Sequence, residues 1–271
     1  METVNILFVG DIVGKPGMQI IQSWLPSLIQ KYKADVVIAN GENVNEGKGI
    51  LRKEGEILFN LGVNVITGGN HIWDKHLSQE YFKSEEKVLR PLNYPKGTNG
   101  NGHYIYQHKK CKVAVVNLQG RTFMAPIDCP FRSMDWIVNK IKSETKIILL
   151  DFHAEATAEK MAMAFYLDGK ISALVGTHTH IQTADERIFP SGMGYITDVG
   201  MTGPYDSVIG MKKIPAINRF LYQTPQKYET AENDAKICAV FLKIDVDTAK
   251  TVEIERIVFP EFNKKNGIEN K

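Results

Sequence analysis

The sequence predicts an α/β fold built on mixed sheets, and three observations carry that expectation. Short Val/Ile-rich runs alternate with longer stretches of helical apolar spacing through the first half of the chain. Near its end, two runs alternate apolar and polar residues around a short polar turn, as an antiparallel hairpin does. The 271 residues, 43% hydrophobic and 24% charged, can close a large core without disulfides or a structural metal. A single domain over 1–271 is expected, with 263–271 a polar tail that frays.

Taken in order, Val4–Val9, Asp35–Ala39 and Val63–Thr67 read as buried strands, each short and β-branched. Between them Met18, Ile21, Leu25 and Leu28 recur at helical spacing. Ile50, Leu51, Ile57, Leu58 and Leu61 do so again, ahead of Gly62 where a C-cap belongs. This strand–helix–strand rhythm implies parallel pairing through crossovers. Tyr104–Gln107 and Lys112–Asn117 are expected to pair across Lys109–Lys110. Lys146–Leu150 and Ile171–Val175 read as buried strands around a helix at Ala156–Leu167, whose Met161, Met163, Phe165 and Tyr166 are taken as packing residues. Ile237–Ile244 and Val252–Phe259 form the terminal hairpin. Pro91–Gly102 and Pro190–Pro215 are turn-rich and read as long loops.

Several function classes fall away. A formal charge of +2 is too near balance for a protein that coats nucleic acid or acidic membranes. No segment reaches the roughly 18 to 20 apolar residues of a membrane span, and the first residues lack the basic start of a signal peptide. Cys111, Cys129 and Cys238 are few, odd in number and without a CxxC, which fits a reducing cytoplasm rather than a disulfide framework or zinc ribbon. Gly41 to Gly47–Lys48 mimics a phosphate-binding P-loop, but five residues rather than four separate the glycines and Gly49 stands in place of its Ser/Thr. No G-x-S-x-G is present, which disfavours an α/β-hydrolase.

The informative residues fall where strands end. Five apolar runs lead into Gly10–Asp11, Asn40–Gly41–Glu42–Asn43, Gly68–Gly69–Asn70–His71, Asp151–Phe152–His153 and Gly176–Thr177–His178–Thr179–His180. Ligands of open α/β sheets bind outside the carboxyl ends of the strands, so the five clusters are expected to face one crevice. Glycines ahead of Asp11, Glu42 and Asn70 suit tight turns. Two carboxylates, two carboxamides and four imidazoles, with no thiolate, exceed what one four-coordinate ion needs and suit two ions sharing a carboxylate. His178 and His180 alternate, so in a strand both rings face one side. Each residue has a blander reading: a turn former for Asp11, Glu42, Asn43 and Asn70, a structural imidazole for His153. The ensemble favours the ligand reading. His76, His103 and His108 sit in polar surroundings and are read as surface residues; Arg90, Asn93 and Tyr94 are not counted as site residues.

In order, these clusters resemble the five motifs of the calcineurin-like metallophosphoesterases. Two departures narrow the resemblance: Asp11–Ile12–Val13 lacks the usual histidine of Asp-X-His, and Glu42–Asn43 stands where a bridging Asp is usual. Both are typical of the bacterial YmdB-like branch, described as 2′,3′-cyclic-nucleotide 2′-phosphodiesterases. Total length and the stretches Arg90–Pro91–Leu92–Asn93–Tyr94–Pro95 and His153–Ala154–Glu155–Ala156–Thr157 agree with that branch. The resemblance covers Ile6 to Gly210 well and the terminal hairpin more loosely.

The resemblance implies a sandwich of two mixed sheets flanked by helices, and a concrete site. Asp11, Asn43 and His180 hold a first divalent metal, Asn70, His153 and His178 a second, and Glu42 bridges. The metals implied are iron or manganese, with zinc an alternative; Asn43, a neutral oxygen in place of an imidazole, bears on affinity and preference at the first site. Hydroxide shared by the ions attacks a small cyclic nucleotide, and His71 protonates the leaving ribose oxygen as general acid. A phosphomonoesterase or nuclease on the same metals, or a regulatory metalloprotein that binds a nucleotide or protein partner with little turnover, are the alternatives. A homo-oligomer is compatible; a stable nucleic-acid complex or membrane association is not expected.

Overall fold

The computed structural model describes residues 1–262; the tail expected to fray lies outside the described residues. In chain order the elements are β1 (Thr3–Val9), β2 (Asp11–Ile12), α1 (Gly14–Tyr32), β3 (Val36–Asn40), α2 (Arg52–Asn60), β4 (Val65–Thr67), α3 (Ser78–Ser84), β5 (His103–Gln107), β6 (Lys112–Gln119) and α4 (Pro130–Ile141). There follow β7 (Ile147–His153), α5 (Thr157–Leu167), β8 (Ala173–Thr177), β9 (Arg187–Ile188), β10 (Gly194–Ile196), β11 (Met201–Pro204), α6 (Lys213–Tyr222), β12 (Ala235–Asp245) and β13 (Thr251–Phe259).

Among the described residues the strands form two mixed sheets. One runs β2-β11-β12-β1-β3-β4, with β13 also on β12; the other runs β5-β6-β7-β8-β10-β9. β1, β3 and β4 are parallel, as are β6, β7, β8 and β10. The hairpins β5–β6 and β12–β13 are antiparallel, as the sequence predicts.

Strand periodicity explains the layering. On β1, Val4, Ile6 and Phe8 face the core between the sheets while Leu7 and Val9 face α1 and α2. On β7, Ile147 and Leu149 join the inter-sheet core, and Ile148, Leu150 and Phe152 pack under α4 and α5. The order is therefore helices, sheet, sheet, helices, with three apolar cores.

Some readings need correction. Pro190–Pro215 is not a plain loop: it contains β10 and β11, both buried, whose Gly and Pro content masks strand propensity. On α5, Met163 is core, but Phe165 and Tyr166 are exposed. His76 is on the surface, whereas His103 and His108 are half-buried; His108 lies 3.7 Å from Asp35, and neither touches the strand-end cluster. Arg90 and Asn93 are structural, spending their side-chain donors on backbone carbonyls of neighbouring loops and of the end of β6. The three cysteines are unbridged. No helix among the described residues is long and apolar enough to cross a membrane.

Candidate metal centre

At the carboxyl ends of the parallel strands the inner-face positions change from apolar to polar. Val36 and Ile38 give way to Asn40 on β3, Val65 to Thr67 on β4, Ile147 and Leu149 to Asp151 and His153 on β7, and Ala173 and Val175 to Thr177 on β8. Four of these residues meet across the two sheets. Asp151, fully buried, accepts Thr67 Oγ1–H at 2.5 Å, Thr177 Oγ1–H at 2.7 Å and Asn40 Nδ2–H at 3.1 Å. Burial is the dominant influence on Asp151 and pushes its carboxyl up to about 7, although these hydroxyls and His153 pull it down. Thr177 has its own proton committed to Asp151, so its oxygen accepts Nδ1–H of His153 at 2.9 Å. That relay turns His153 Nε2 outward. Burial lowers the ring's pKa but Glu42 and Asp11 raise it to about 9, so Nε2 becomes a ligand by exchanging its proton for a metal.

The predicted site residues stand on this platform and touch one another. His153 Nε2 lies 3.0 Å from Asn70 Oδ1, 3.0 Å from His178 Nδ1 and 3.1 Å from Glu42 Oε1. Asn43 Nδ2 bridges Glu42 Oε1 at 3.1 Å and His180 Nε2 at 3.2 Å. Asp11 Oδ2 accepts the His178 N–H at 3.3 Å, and its Oδ1 lies 3.9 Å from His153 Nδ1. Two knots of donors thus meet at Glu42. His71 gives its backbone N–H to Glu42 Oε2 at 3.0 Å, and its ring Nδ1 bonds Asp74 Oδ2 at 3.0 Å. Above them opens a cavity of about 590 Å³, lined by Glu42, Asn43, His71, His178 and His180 among others.

Local backbone chemistry places these groups. β8 ends at Thr177, so His178 and His180 do not alternate in a strand; both have positive φ, 104° and 64°. Such a turn in non-glycine residues is costly and is held from outside. Thr179 N–H bonds Asp198 Oδ2 at 3.0 Å, and that oxygen also takes Lys160 Nζ at 2.8 Å in a fully buried ion pair. His180 Nδ1–H donates to the Ile209 carbonyl at 2.9 Å, which leaves the Nε2 lone pair turned to Asn43 at 3.2 Å. Gly69 is required for space rather than for a turn: a Cβ there would lie 2.2 Å from the His153 ring and 2.4 Å from Glu42 Oε2. Gly10 likewise carries no positive φ, and a Cβ would meet the Gly200 carbonyl.

The electrostatics favour a cation. Asp11 is completely buried, and its Oδ1 has no hydrogen-bond partner. Burial raises its pKa against the pull of His180 and His153. For Glu42, burial is outweighed by His153 and by His71, which hold the carboxyl low. His178 is lowered to about 3 by burial and by its neighbour His153, so its ring is neutral and able to ligate. Ligand atoms around a first-row divalent ion, at roughly 2.0–2.2 Å from it, stand about 3 Å apart, the spacing found here. Asn43 alone presents the wrong atom; swapping its Oδ1 and Nδ2 exchanges groups of equal size. The donor set fits divalent metal, and the orphaned Asp11 oxygen is the sharpest sign of it.

The sequence reading placed Asp151 and Thr177 in the strand-end clusters without giving them a role, and it missed Lys160, Asp198 and Asp74. Two had signals: Asp151 precedes His153 by two residues on one strand face, and Lys160 shares helical spacing with the buried Met163, Ala164 and Leu167.

Residues 7–257 match the YmdB-like protein family. The chain belongs to it. This YmdB-like chain is 46% identical over 255 residues to the 2′,3′-cyclic-nucleotide 2′-phosphodiesterase of Bacillus subtilis, covering 94% of this chain and 97% of that protein. A crystal structure of a novel phosphatase from Mycoplasma pneumoniae superposes with a TM-score of 0.91 at 37% identity, covering 95% of this chain and 94% of that one. A hypothetical protein from Thermus thermophilus does so with a TM-score of 0.88 at 40% identity, covering 94% and 99%. The family match reaches into the terminal hairpin, further than the motifs alone extend.

Proposed function

We propose that this chain is a dinuclear metal phosphodiesterase that opens 2′,3′-cyclic nucleotides at the 2′ P–O bond and leaves the 3′-phosphate. Hydrolysis of phosphate esters comes with the family and with relatives named phosphodiesterase and phosphatase. The observation that carries the finer reading is the pair of donor knots sharing Glu42 on the floor of one cavity. In this reading Asp11, Asn43 and His180 hold one metal, Asn70, His153 and His178 the other, and Glu42 serves both. Bound there, two divalent ions supply positive charge to the phosphoryl oxygens and lower the pKa of the attacking water. Iron or manganese suits these nitrogen and oxygen donors, with zinc the alternative.

The chain's own residues do the rest. Thr177 and Asp151 fix the His153 ring, the Ile209 carbonyl fixes His180, and the Lys160–Asp198 pair holds the turn between His178 and His180. His71, beside Glu42 but not itself a ligand, holds the proton that the leaving ribose oxygen takes up. Asp74 keeps a proton on Nδ1, so the other ring nitrogen is the one presented for transfer. Three unbridged cysteines fit the reducing cytoplasm expected from the sequence.

The test is to strip the protein with chelator, reload it with Mn²⁺ or Fe²⁺, and assay 2′,3′-cAMP beside mononucleotides and short RNA. Metal-dependent release of 3′-AMP as the preferred reaction is expected. Faster turnover of monoesters or RNA moves the reading to those substrates, and no turnover by reloaded protein overturns it in favour of a binding role.

A further inference from the structure

One wall of the cavity, adjoining His180 of the donor knots, comes from segments that none of the five motifs contains. Ile209, Met211, Arg219, Gln226 and Tyr228 line it, all from the excursion between β11 and β12. The Met211–Thr230 bridge and the bonds Lys212 N–H to Glu229 and Ala231 N–H to Gly210 tie that excursion into one lobe. Tyr228 is built in: a Cβ on Gly47 would lie 2.6 Å from its ring, and one on Gly210 3.7 Å from its hydroxyl. Both glycines have positive φ, +83° and +97°, and they flank the segments carrying Asn43 and Ile209. The other cations of the lobe's helix entry are paired, Lys212 with Glu229 at 2.8 Å and Lys213 with Asp206 at 2.7 Å. Arg219 has no ionic partner among the described residues and stands on the cavity rim.

An aromatic ring, two apolar side chains and a free planar cation are the chemistry that receives a heterocyclic base. The cavity, at about 590 Å³, has room for one beyond the donor knots. We infer that this wall is the nucleobase subsite: the base lies against Tyr228, Ile209 and Met211, and the Arg219 guanidinium covers its exposed face or edge. The inference rests on the proposed cyclic-nucleotide reading and adds to it the residues that select a nucleoside over a bare cyclic diester.

The experiment compares kcat/KM for 2′,3′-cAMP with that for glycerol 1,2-cyclic phosphate, which has the same five-membered diester and no base. Arg219 is exposed, so Arg219→Ala and Arg219→Lys should fold as the parent does. In both variants the preference for the nucleotide is expected to fall about tenfold or more, chiefly through KM. Lys does not rescue it, because an ammonium cannot stack on a base. An unchanged preference, or full rescue by Lys, overturns the inference in favour of charge attraction alone. If the parent protein turns over neither diester, the phosphodiesterase reading fails by itself. Calorimetric titration with adenosine then decides the subsite: weakening of about tenfold in Arg219→Ala supports it, and equal or undetectable binding to both proteins overturns it.

Discussion

At the residue scale, the site stores unfavourable electrostatics that a cation relieves. Asp11 is buried with an unpartnered oxygen, so it costs the metal-free protein stability. Asp11→Asn is therefore expected to melt no lower than the parent in chelator, and Mn²⁺ is expected to raise the melting temperature of the parent by mass action but not that of the variant. A variant that melts lower without metal yet keeps the full Mn²⁺ shift would contradict this account. In the proposed mechanism His71 acts on the leaving group. His71→Ala should lower kcat on 2′,3′-cAMP by about a hundredfold, but by less than about tenfold on bis(p-nitrophenyl) phosphate, whose leaving group needs no proton. Equal losses on both substrates would remove His71 from the acid role and leave it a positioning one.

At the element scale, the decisive piece is the turn after β8, whose positive-φ histidines are held by contacts from other elements. Lys160 reaches it from α5 through Asp198, and both residues are fully buried. Removing one partner of such a pair strands a buried charge. Lys160→Met is expected to cost about 3 kcal/mol in urea denaturation, whereas Lys212→Met, in the exposed pair with Glu229, should cost less than about 0.5 kcal/mol. Similar costs for the two would mean that burial does not govern the turn. The same element shows how sequence reasoning goes astray: His-Thr-His alternation suits a strand, but the ladder between β7 and β8 ends at the His153–Thr177 pair, so the next residues curl over the strand ends instead. Both histidines still reach the cluster, by the turn's geometry rather than by strand period.

At the scale of the whole molecule, the two sheets are joined at both ends. At the carboxyl ends of the strands, Asp151 links β3 and β4 to β7 and β8. At the opposite end, Asp35, just ahead of β3, receives Lys110 Nζ at 2.7 Å from the β5–β6 turn and the Asn5 N–H at 2.9 Å from β1. Burial works against the Asp35 carboxylate, but Lys110 and Asn5 outweigh it and hold its pKa below the ordinary value. A lowered folded-state pKa gives stability that is present above the unfolded value and is lost as the pH falls through the folded one. Lys110→Met should therefore cost about 1 kcal/mol near neutrality, with the difference from the parent shrinking on acidification to about pH 3. Melting curves at the two pH values check it, and a constant difference would locate the effect in packing.

The sequence by itself determined the mixed-sheet α/β class, most strand positions and the eight polar residues of the motifs, because period-two and period-3.6 burial and strand-end polarity are local properties; the stacking into two sheets came from the family resemblance. It left β10 and β11 unread, since their glycines and proline carry no local strand signal and pairing with β8, β2 and β12 makes them strands. Only the tertiary structure decided which imidazole nitrogen faces the donor knots, since Thr177 and Ile209, which fix that choice, lie 24 and 29 residues from the rings they hold. It also decided that Lys160 is a buried prop rather than a solvated helix residue, and that the lobe carrying Arg219 and Tyr228 closes the cavity. Each depends on atoms distant in the chain meeting at one place, and no local pattern encodes such a meeting.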